Sequence, residues 1–481
     1  MISSNDYLGC DALSLCKGLR DKEFTAEELT MSAIHRAEAV NPIVNAIVTE
    51  NYEKALTQAQ HFDQNPDLLK LSPLAGLPFL IKDLSTVEGL TATFGSRLFK
   101  DYTATKSSKI VEQYMKAGLN IFGLTNTPEF GLTLTTEPVA NGKTKNPWNT
   151  EYSTGGSSGG AAAAVASGIS PVAHATDGGG SIRIPASCCG LFGLKPSRGL
   201  TSIENDLTGS WAGMSVGHVV SQTVRDSAAF LDLITLKTTH SFPLPDNTGP
   251  FLQQLKSKPT NLKIGLQFRH PFDLPIDSKC LESVQLCAKN CQLLGHSVEE
   301  IAPPLEYGPV VSAMSKLINT FIHNRITIRL KELNLSFEDA QIENSTRIVA
   351  ELGSKITAQE FVSARDAIFA AELQMREFHK SYDLILSPVL AKAPAKLGWL
   401  DMNSNDMKSY TERFRSYSGF TSIYNGTGQP SVSIPTMRTD SGLPVGVMLT
   451  GPWGSDSQLL QLASELEQIN PWPLYSNPDS F

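Results

Sequence analysis

The stretch from Gly155 to Ala186, GGSSGGAAAAVASGISPVAHATDGGGSIRIPA, constrains this chain more than any other. Two glycine-rich turns bracket a run of alanines, so a helix over Ala161–Ala166 has almost no side chain to hold a neighbour away. Such a helix is stable only when it packs closely against another element. The apolar run Leu77–Ile81 and further short strand-like segments recur around it: Ile121–Leu124, Leu262–Gln267, Leu384–Leu386, Ser431–Ile434 and Val445–Leu449. They are too short for helices and read as buried strands. Strands and helices alternate along the chain, which predicts an α/β fold: a central mixed β-sheet flanked by helices on both faces.

Thr25-Ala26-Glu27-Glu28 has the pattern of a capping box, and predicts a helix to about Val40 that Asn41-Pro42 should end. A strand from Asn45 to Thr49 and a helix from Tyr52 to His61 follow. Further helices are expected over Ser107–Lys116 (closed by Gly118), Ser278–Leu294, 310–334, 358–379 and 457–468, with a strand over His296–Glu300. Residues 125–158 read mostly as loop, and the proline-rich 237–262 as a linker. No repeat of 20–50 residues is present.

Bulk properties exclude several classes. The 481 residues carry a net charge of −8, with no run of five like charges, which argues against nucleic acid as a partner. No apolar stretch reaches the ~18 residues of a membrane span. The N-terminus lacks a basic start followed by an apolar block, so no signal peptide is expected and the cytoplasm is the expected location. The seven cysteines contain no C-x-x-C pair. Cys280, Cys287 and Cys291 fall on one helical stripe and read as buried small hydrophobes in a reducing compartment. No HExxH and no clustered His/Asp set occurs, which agrees with a mechanism that needs neither a metal nor an organic cofactor.

The second turn, Asp177-Gly178-Gly179-Gly180-Ser181, sets backbone N–H groups beside one hydroxyl. Acyl transfer needs that pairing: the serine attacks a carbonyl while N–H donors hold the oxyanion. Alone, a glycine-rich turn reads first as a turn, and a phosphate cradle is a further reading, although GxxxxGK[ST] is absent. The serine also needs a base. His174 lies between alanines and reads as a packed histidine. Lys82 ends an apolar strand, where burial would keep it neutral, although on the residues alone a surface lysine is the simpler reading of that position.

The Gly155–Ala186 block is similar to the signature of the amidase signature family. PLAGLPFLIKD, FGSRLF, TNTPEFG, KNPWN, CGLFGLKPSRG, YDLILSPVLA, NGTGQPSVSIP and GLPVGVML resemble family segments in order over nearly the whole chain. The resemblance implies a Ser-Ser-Lys triad: Ser181 as nucleophile, Ser157 (after a cis peptide from Gly156) as proton relay, and Lys82 as ultimate base and acid. It implies an oxyanion hole at Gly178, Gly179, Gly180 and the Ser181 N–H, with Ser158, Asp177 and Arg183 in support. Asp177 and Arg183 read as structural bracing. Many members carry isoleucine or threonine where this chain has Gly178, and lysine where it has Leu124. TDGGGSIRIPA, TEPVANGKTKNPWN and SPVLAKAPAKLGWLD resemble the subgroup related to aminohexanoate cyclic-dimer hydrolases.

The implied organisation is a single amidase-signature domain over 1–481: an N-terminal helical region (1–62), a catalytic core (63–236), a linker with an inserted α/β segment (237–310), and a helical region with C-terminal strands completing the sheet (311–481). The implied activity is hydrolysis of the C–N bond of linear or cyclic carboxylic acid amides through an acyl-enzyme. Partners are then a small-molecule amide and water, with no nucleic acid and no membrane; a homodimer is left open. The glutaminase subunit of an aminoacyl-tRNA amidotransferase is the alternative within the family, and a non-catalytic scaffold the alternative outside it. Loops 125–150 and 205–217 and the helices after 310 are expected to build the pocket. Phe130, Trp148, Trp211 and Met214 are apolar candidates for its wall or for the core.

Overall fold

The computed structural model describes residues 2–201, 210–237 and 242–476. Its strands are β1 (Ile47–Glu50), β2 (Pro78–Lys82), β3 (Asn120–Thr125), β4 (Lys145–Asn146), β5 (Asn149–Ser153), β6 (Val172–Asp177), β7 (Phe192–Lys195), β8 (Val216–Ser221), β9 (Lys263–Leu266), β10 (Ser297–Glu300), β11 (Leu384–Pro388), β12 (Ser431–Arg438) and β13 (Pro444–Thr450). Eleven form one sheet in the order β1-β3-β2-β6-β8-β7-β12-β13-β11-β9-β10. Parallel pairing joins β3, β2 and β6, and again β11, β9 and β10. The strands from β6 to β11 across the middle pair antiparallel, as does β1 on β3. The sheet is therefore mixed.

Alternation along the strands fills both faces. Leu384, Leu386, Val447 and Leu449 join one apolar cluster, with Val284 and Cys287 of the helix Ser278–Leu293 and Leu459 and Leu462 of the helix Asp456–Ile469. Their neighbours Ile385 and Met448 join the cluster on the opposite face, with the alanines of the helix Gly159–Ala166. A sheet buried on both faces needs this near-continuous apolar character. All eight residues of Gly159–Ala166 are buried, as their small size demands. Cys280, Cys287 and Cys291 are buried on their helix as free thiols.

Local departures have local causes. The helix that starts at the Thr25–Glu28 capping box passes Pro42 and runs to Val44. Pro42 lies in the last turn, where its missing N–H removes a single backbone bond. Asn45 then caps the helix in the left-handed conformation (φ 53°), and Asn41 Oδ1 accepts the N–H groups of Ala46 and Ile47, each at 2.8 Å. The strand expected from Asn45 consequently begins at Ile47. Within 125–158, read as loop, β4 and β5 form a small antiparallel sheet of their own. Residues 238–241 of the expected linker and 205–209 of the expected pocket loop lie outside the described residues. Among the described residues no helix is long and apolar enough to cross a membrane.

Two features of this layout place the chemistry. β2 and β6 are parallel neighbours, so their C-terminal ends, Lys82 and Asp177, emerge at the same edge of the sheet. The helix Gly159–Ala166 begins directly after Ser157 and Ser158 and packs on β6 and β2, bringing both serines to that edge.

Candidate active site

Every residue of β2 is buried, and Lys82 at its end is 0% exposed. Its Nζ lies 2.7 Å from Ser157 Oγ, 2.8 Å from Ser158 Oγ and 3.0 Å from Thr176 Oγ1. Burial pushes the ammonium pKa well below its ordinary value of 10.5, and the Asp177 carboxylate only partly opposes this. Three neutral hydroxyls and no paired carboxylate fit a neutral amine.

The two serines are not equivalent. Ser158 Oγ donates to the Thr176 carbonyl at 3.2 Å and accepts the Thr176 N–H at 3.3 Å, so its proton is committed to the backbone. Ser157 Oγ meets Lys82 Nζ and no backbone acceptor among the described residues. The Gly156–Ser157 peptide is cis.

The turn after β6 is held by an ion pair. Arg183 Nε and Nη2 donate to Asp177 Oδ2 and Oδ1, each at 2.9 Å, and both side chains are fully buried. Burial pushes the Asp177 carboxyl up, but the Arg183 guanidinium, together with Lys195 and the Asn425 amide, outweighs it and holds the carboxyl well below the usual carboxylate range. Asp177 also accepts the N–H groups of Gly180 (2.7 Å) and Ile182 (3.1 Å). Asn425 donates to Asp177 and accepts from Arg183, and Thr421 Oγ1 donates to the Gly179 carbonyl. Gly180 sits at φ +131° with Thr421 Oγ1 only 2.4 Å from where a Cβ would stand, so no other residue fits there. Its N–H is engaged by Asp177, whereas those of Gly178, Gly179 and Ser181, residues that border the cleft, meet no acceptor among the described residues.

Replacing Asp177 by alanine would leave Arg183 charged and uncompensated in the interior. Loss of one partner of a buried pair costs about 3–5 kcal/mol. Asp177→Ala is therefore expected to lower folding stability by about that amount, read from its denaturant midpoint, with the turn disordered as well.

Half-buried Ser181 lies where two lobes of one cleft meet; Gly131, Gly178 and Trp211 also border both. The smaller lobe, about 320 Å³, reaches Ser157 and Thr176. The larger, about 430 Å³, is roofed by the helices Tyr307–Leu333 and Met407–Tyr417. Of the apolar candidates, Phe130 and Trp211 line the cleft. Met214 is core, and Trp148 lies elsewhere, its Nε1 on the Cys189 carbonyl and its ring under Arg438. Trp211 also accounts for Gly178: a Cβ there would stand 2.6 Å from the indole Cζ3, so the ring takes the space a larger residue would fill.

His174 is a packed histidine. Its Nδ1 accepts the Lys82 N–H at 3.2 Å, and burial pushes its pKa down to about 3. The sequence did not single out Asn425, Thr421 or Lys195. Lys195, buried one residue before Pro196, donates to that residue's carbonyl; burial, and then Arg183, lower its pKa to about 7. Asn425 stands first in NGTGQP, and that block is the only signal that marked it. Among the described residues, no three His, Cys, Asp or Glu side chains are grouped to hold a metal ion.

The family model described as Amidase matches residues 28–460. The 6-aminohexanoate-cyclic-dimer hydrolase of Paenarthrobacter ureafaciens is 32% identical over 477 residues, covering 96% of this chain and 95% of that protein. A solved 6-aminohexanoate cyclic dimer hydrolase complexed with its substrate superposes with a TM-score of 0.89 at 30% identity, over 97% of this chain and 98% of that one. A bacterial aryl acylamidase of the amidase signature family gives a TM-score of 0.84 at 25% identity, over 98% of each chain.

Proposed function

Because this chain belongs to the amidase family and is an amidohydrolase acting on carbon–nitrogen bonds other than peptide bonds, we propose that it hydrolyses carboxylic acid amides through an acyl-enzyme on Ser181. The observation that carries this reading is the buried Lys82 Nζ at 2.7 Å from Ser157 Oγ, beneath a cleft that both Ser157 and Ser181 line.

The steps balance as follows. Ser181 Oγ bonds to the amide carbonyl carbon as its proton passes to Ser157, whose own proton passes to neutral Lys82. The carbonyl oxygen becomes an oxyanion facing the N–H groups of Gly178, Gly179 and Ser181. One such donor is worth about 2.7–4 kcal/mol in the transition state. Collapse breaks the C–N bond, and the proton returns from Lys82 through Ser157 to the departing nitrogen. Water then attacks the ester by the same relay and releases the acid. Asp177, Arg183 and Asn425 hold the turn in shape and take no proton.

A shared acyl-enzyme has a direct test. An anilide and an ester with the same acyl group, turned over in the presence of hydroxylamine, should give one common ratio of hydroxamate to acid. Ratios that differ between the two would mean that no common intermediate forms.

The relay assignment separates the neighbouring serines. Ser157→Ala should lower kcat by about 10²–10⁴-fold, the usual worth of a positioned proton donor. Ser158→Ala should cost less, because its hydroxyl orients Lys82 while its own proton is donated to the Thr176 carbonyl. An inactive Ser158→Ala beside a fully active Ser157→Ala would exchange the two roles.

A further inference from the structure

The two lobes that meet at Ser181 differ in chemistry. None of the described residues lining the larger lobe carries a formal charge; Met314, Ile318, Ile348 and Phe414 supply much of its wall. The smaller lobe runs from Ser157 and Ser181 to the helix Tyr307–Leu333, and Arg325 is the one charged side chain among its described lining residues.

Arg325 is held unlike its neighbour. Arg329, one turn along the helix, pairs with Glu332 at 3.0 Å and donates to the Leu98 carbonyl. Arg325 lies over the Phe94 ring at 4.0 Å and 6.0 Å from Phe99, and forms no ion pair or hydrogen bond with a described residue. A ring beneath one face fixes the plane of a guanidinium and leaves its edge donors open. Edge donors on a fixed plane match a carboxylate, which they bind through two parallel hydrogen bonds. An arginine unpaired within the described site, on the wall of a cleft whose other described lining residues are uncharged, favours an anionic group in the bound molecule.

We propose that the substrates are amides carrying a carboxylate on one side of the scissile bond, bound by Arg325 in the smaller lobe, and an apolar group on the other side, seated in the larger lobe. This rests on Ser181 as the reaction centre. Two chemical sources share that pattern. In an N-acylated amino acid the carboxylate lies on the amine side; in the half-amide of a dicarboxylic acid it lies on the acyl side.

The test is kcat/KM for matched compounds of both types in which the terminal carboxylate is kept, replaced by methyl, or replaced by an ammonium group. Wild-type enzyme should favour the carboxylate over methyl by about 10- to 100-fold in at least one type, the usual range for a charge-assisted hydrogen-bonded contact. The preferred type identifies which side of the amide faces Arg325. Arg325→Gln should bring the carboxylate-to-methyl ratio close to one. Arg325→Lys, which keeps charge, should retain part of it, and Arg325→Glu should turn the preference towards ammonium. No carboxylate preference in wild type, or a preference that survives both Arg325→Gln and Arg325→Glu, would overturn the proposal. Ser181→Ala runs beside them. Turnover persisting in that variant would refute the nucleophile assignment, whereas Ser181-dependent turnover without carboxylate preference would refute only the role of Arg325.

Discussion

Ser181→Ala is expected to reduce amide turnover by about 10⁴–10⁶-fold, the scale on which nucleophile removal acts in serine hydrolases. The fold should be unaffected. Ser181 borders a cleft, and the turn that carries it is held by Asp177, Arg183, Asn425 and Thr421 rather than by the hydroxyl. Near-native thermal unfolding with no detectable product is the expected pair of measurements. Substantial residual hydrolysis would place the attacking group elsewhere.

Loss of Lys82 should be nearly as severe, and it separates activity from stability. Lys82→Arg keeps the charge but cannot give up its proton, so it cannot serve as a base. Lys82→Met approximates the aliphatic stem and removes the amine. Both should be close to inactive. In the wild type, acylation should rise with pH through an apparent pKa well below the ordinary 10.5, because only the neutral amine accepts the proton. That pKa belongs to the coupled Lys82–Ser157–Ser181 set. The stability consequence has a definite sign. Between its lowered folded-state pKa and the ordinary value of 10.5 expected when unfolded, Lys82 binds fewer protons folded than unfolded, so its unfavourable effect on stability shrinks as pH rises. Lys82→Met removes that effect and should be more stable than wild type at pH 7, though inactive. An active Lys82→Arg enzyme with an unchanged pH profile would point to a different base.

What the chain discloses in advance, and what it withholds, follows from how local each feature is. Lys82 is legible as the end of a contiguous apolar strand, but that strand alone also allows a surface lysine; the resemblance singles it out, and burial of its amine beside Ser157 and Ser158 emerges only in the fold. The helix Gly159–Ala166 is legible because its residues are too small for any other setting. Pro42 misleads by a few residues, since its effect depends on whether it falls in a last turn. Asn425 and Thr421 meet Asp177, Gly179 and Arg183 across more than 200 residues of chain, and no local pattern can express that. The same applies to Arg325. In sequence it is one of several charges on a long helix; both it and Arg329 lie over aromatic rings, and only its place on the cleft wall, without the ion pair to Glu332 that Arg329 makes, sets it apart. Ser157 and Ser158 are adjacent and identical in type; the hydrogen bond from Ser158 to the Thr176 carbonyl distinguishes them, and it exists only once β6 lies beside the turn.

The central claim is that Ser181 is the residue acylated in the reaction. Peptide mass spectrometry of the enzyme quenched during turnover of a slow ester substrate tests it most directly. The account predicts one acyl adduct, on the peptide containing Ser181, absent from Ser181→Ala and strongly reduced in Lys82→Met. An adduct on Ser157, on Ser158 or on any cysteine in the active wild-type enzyme would contradict it.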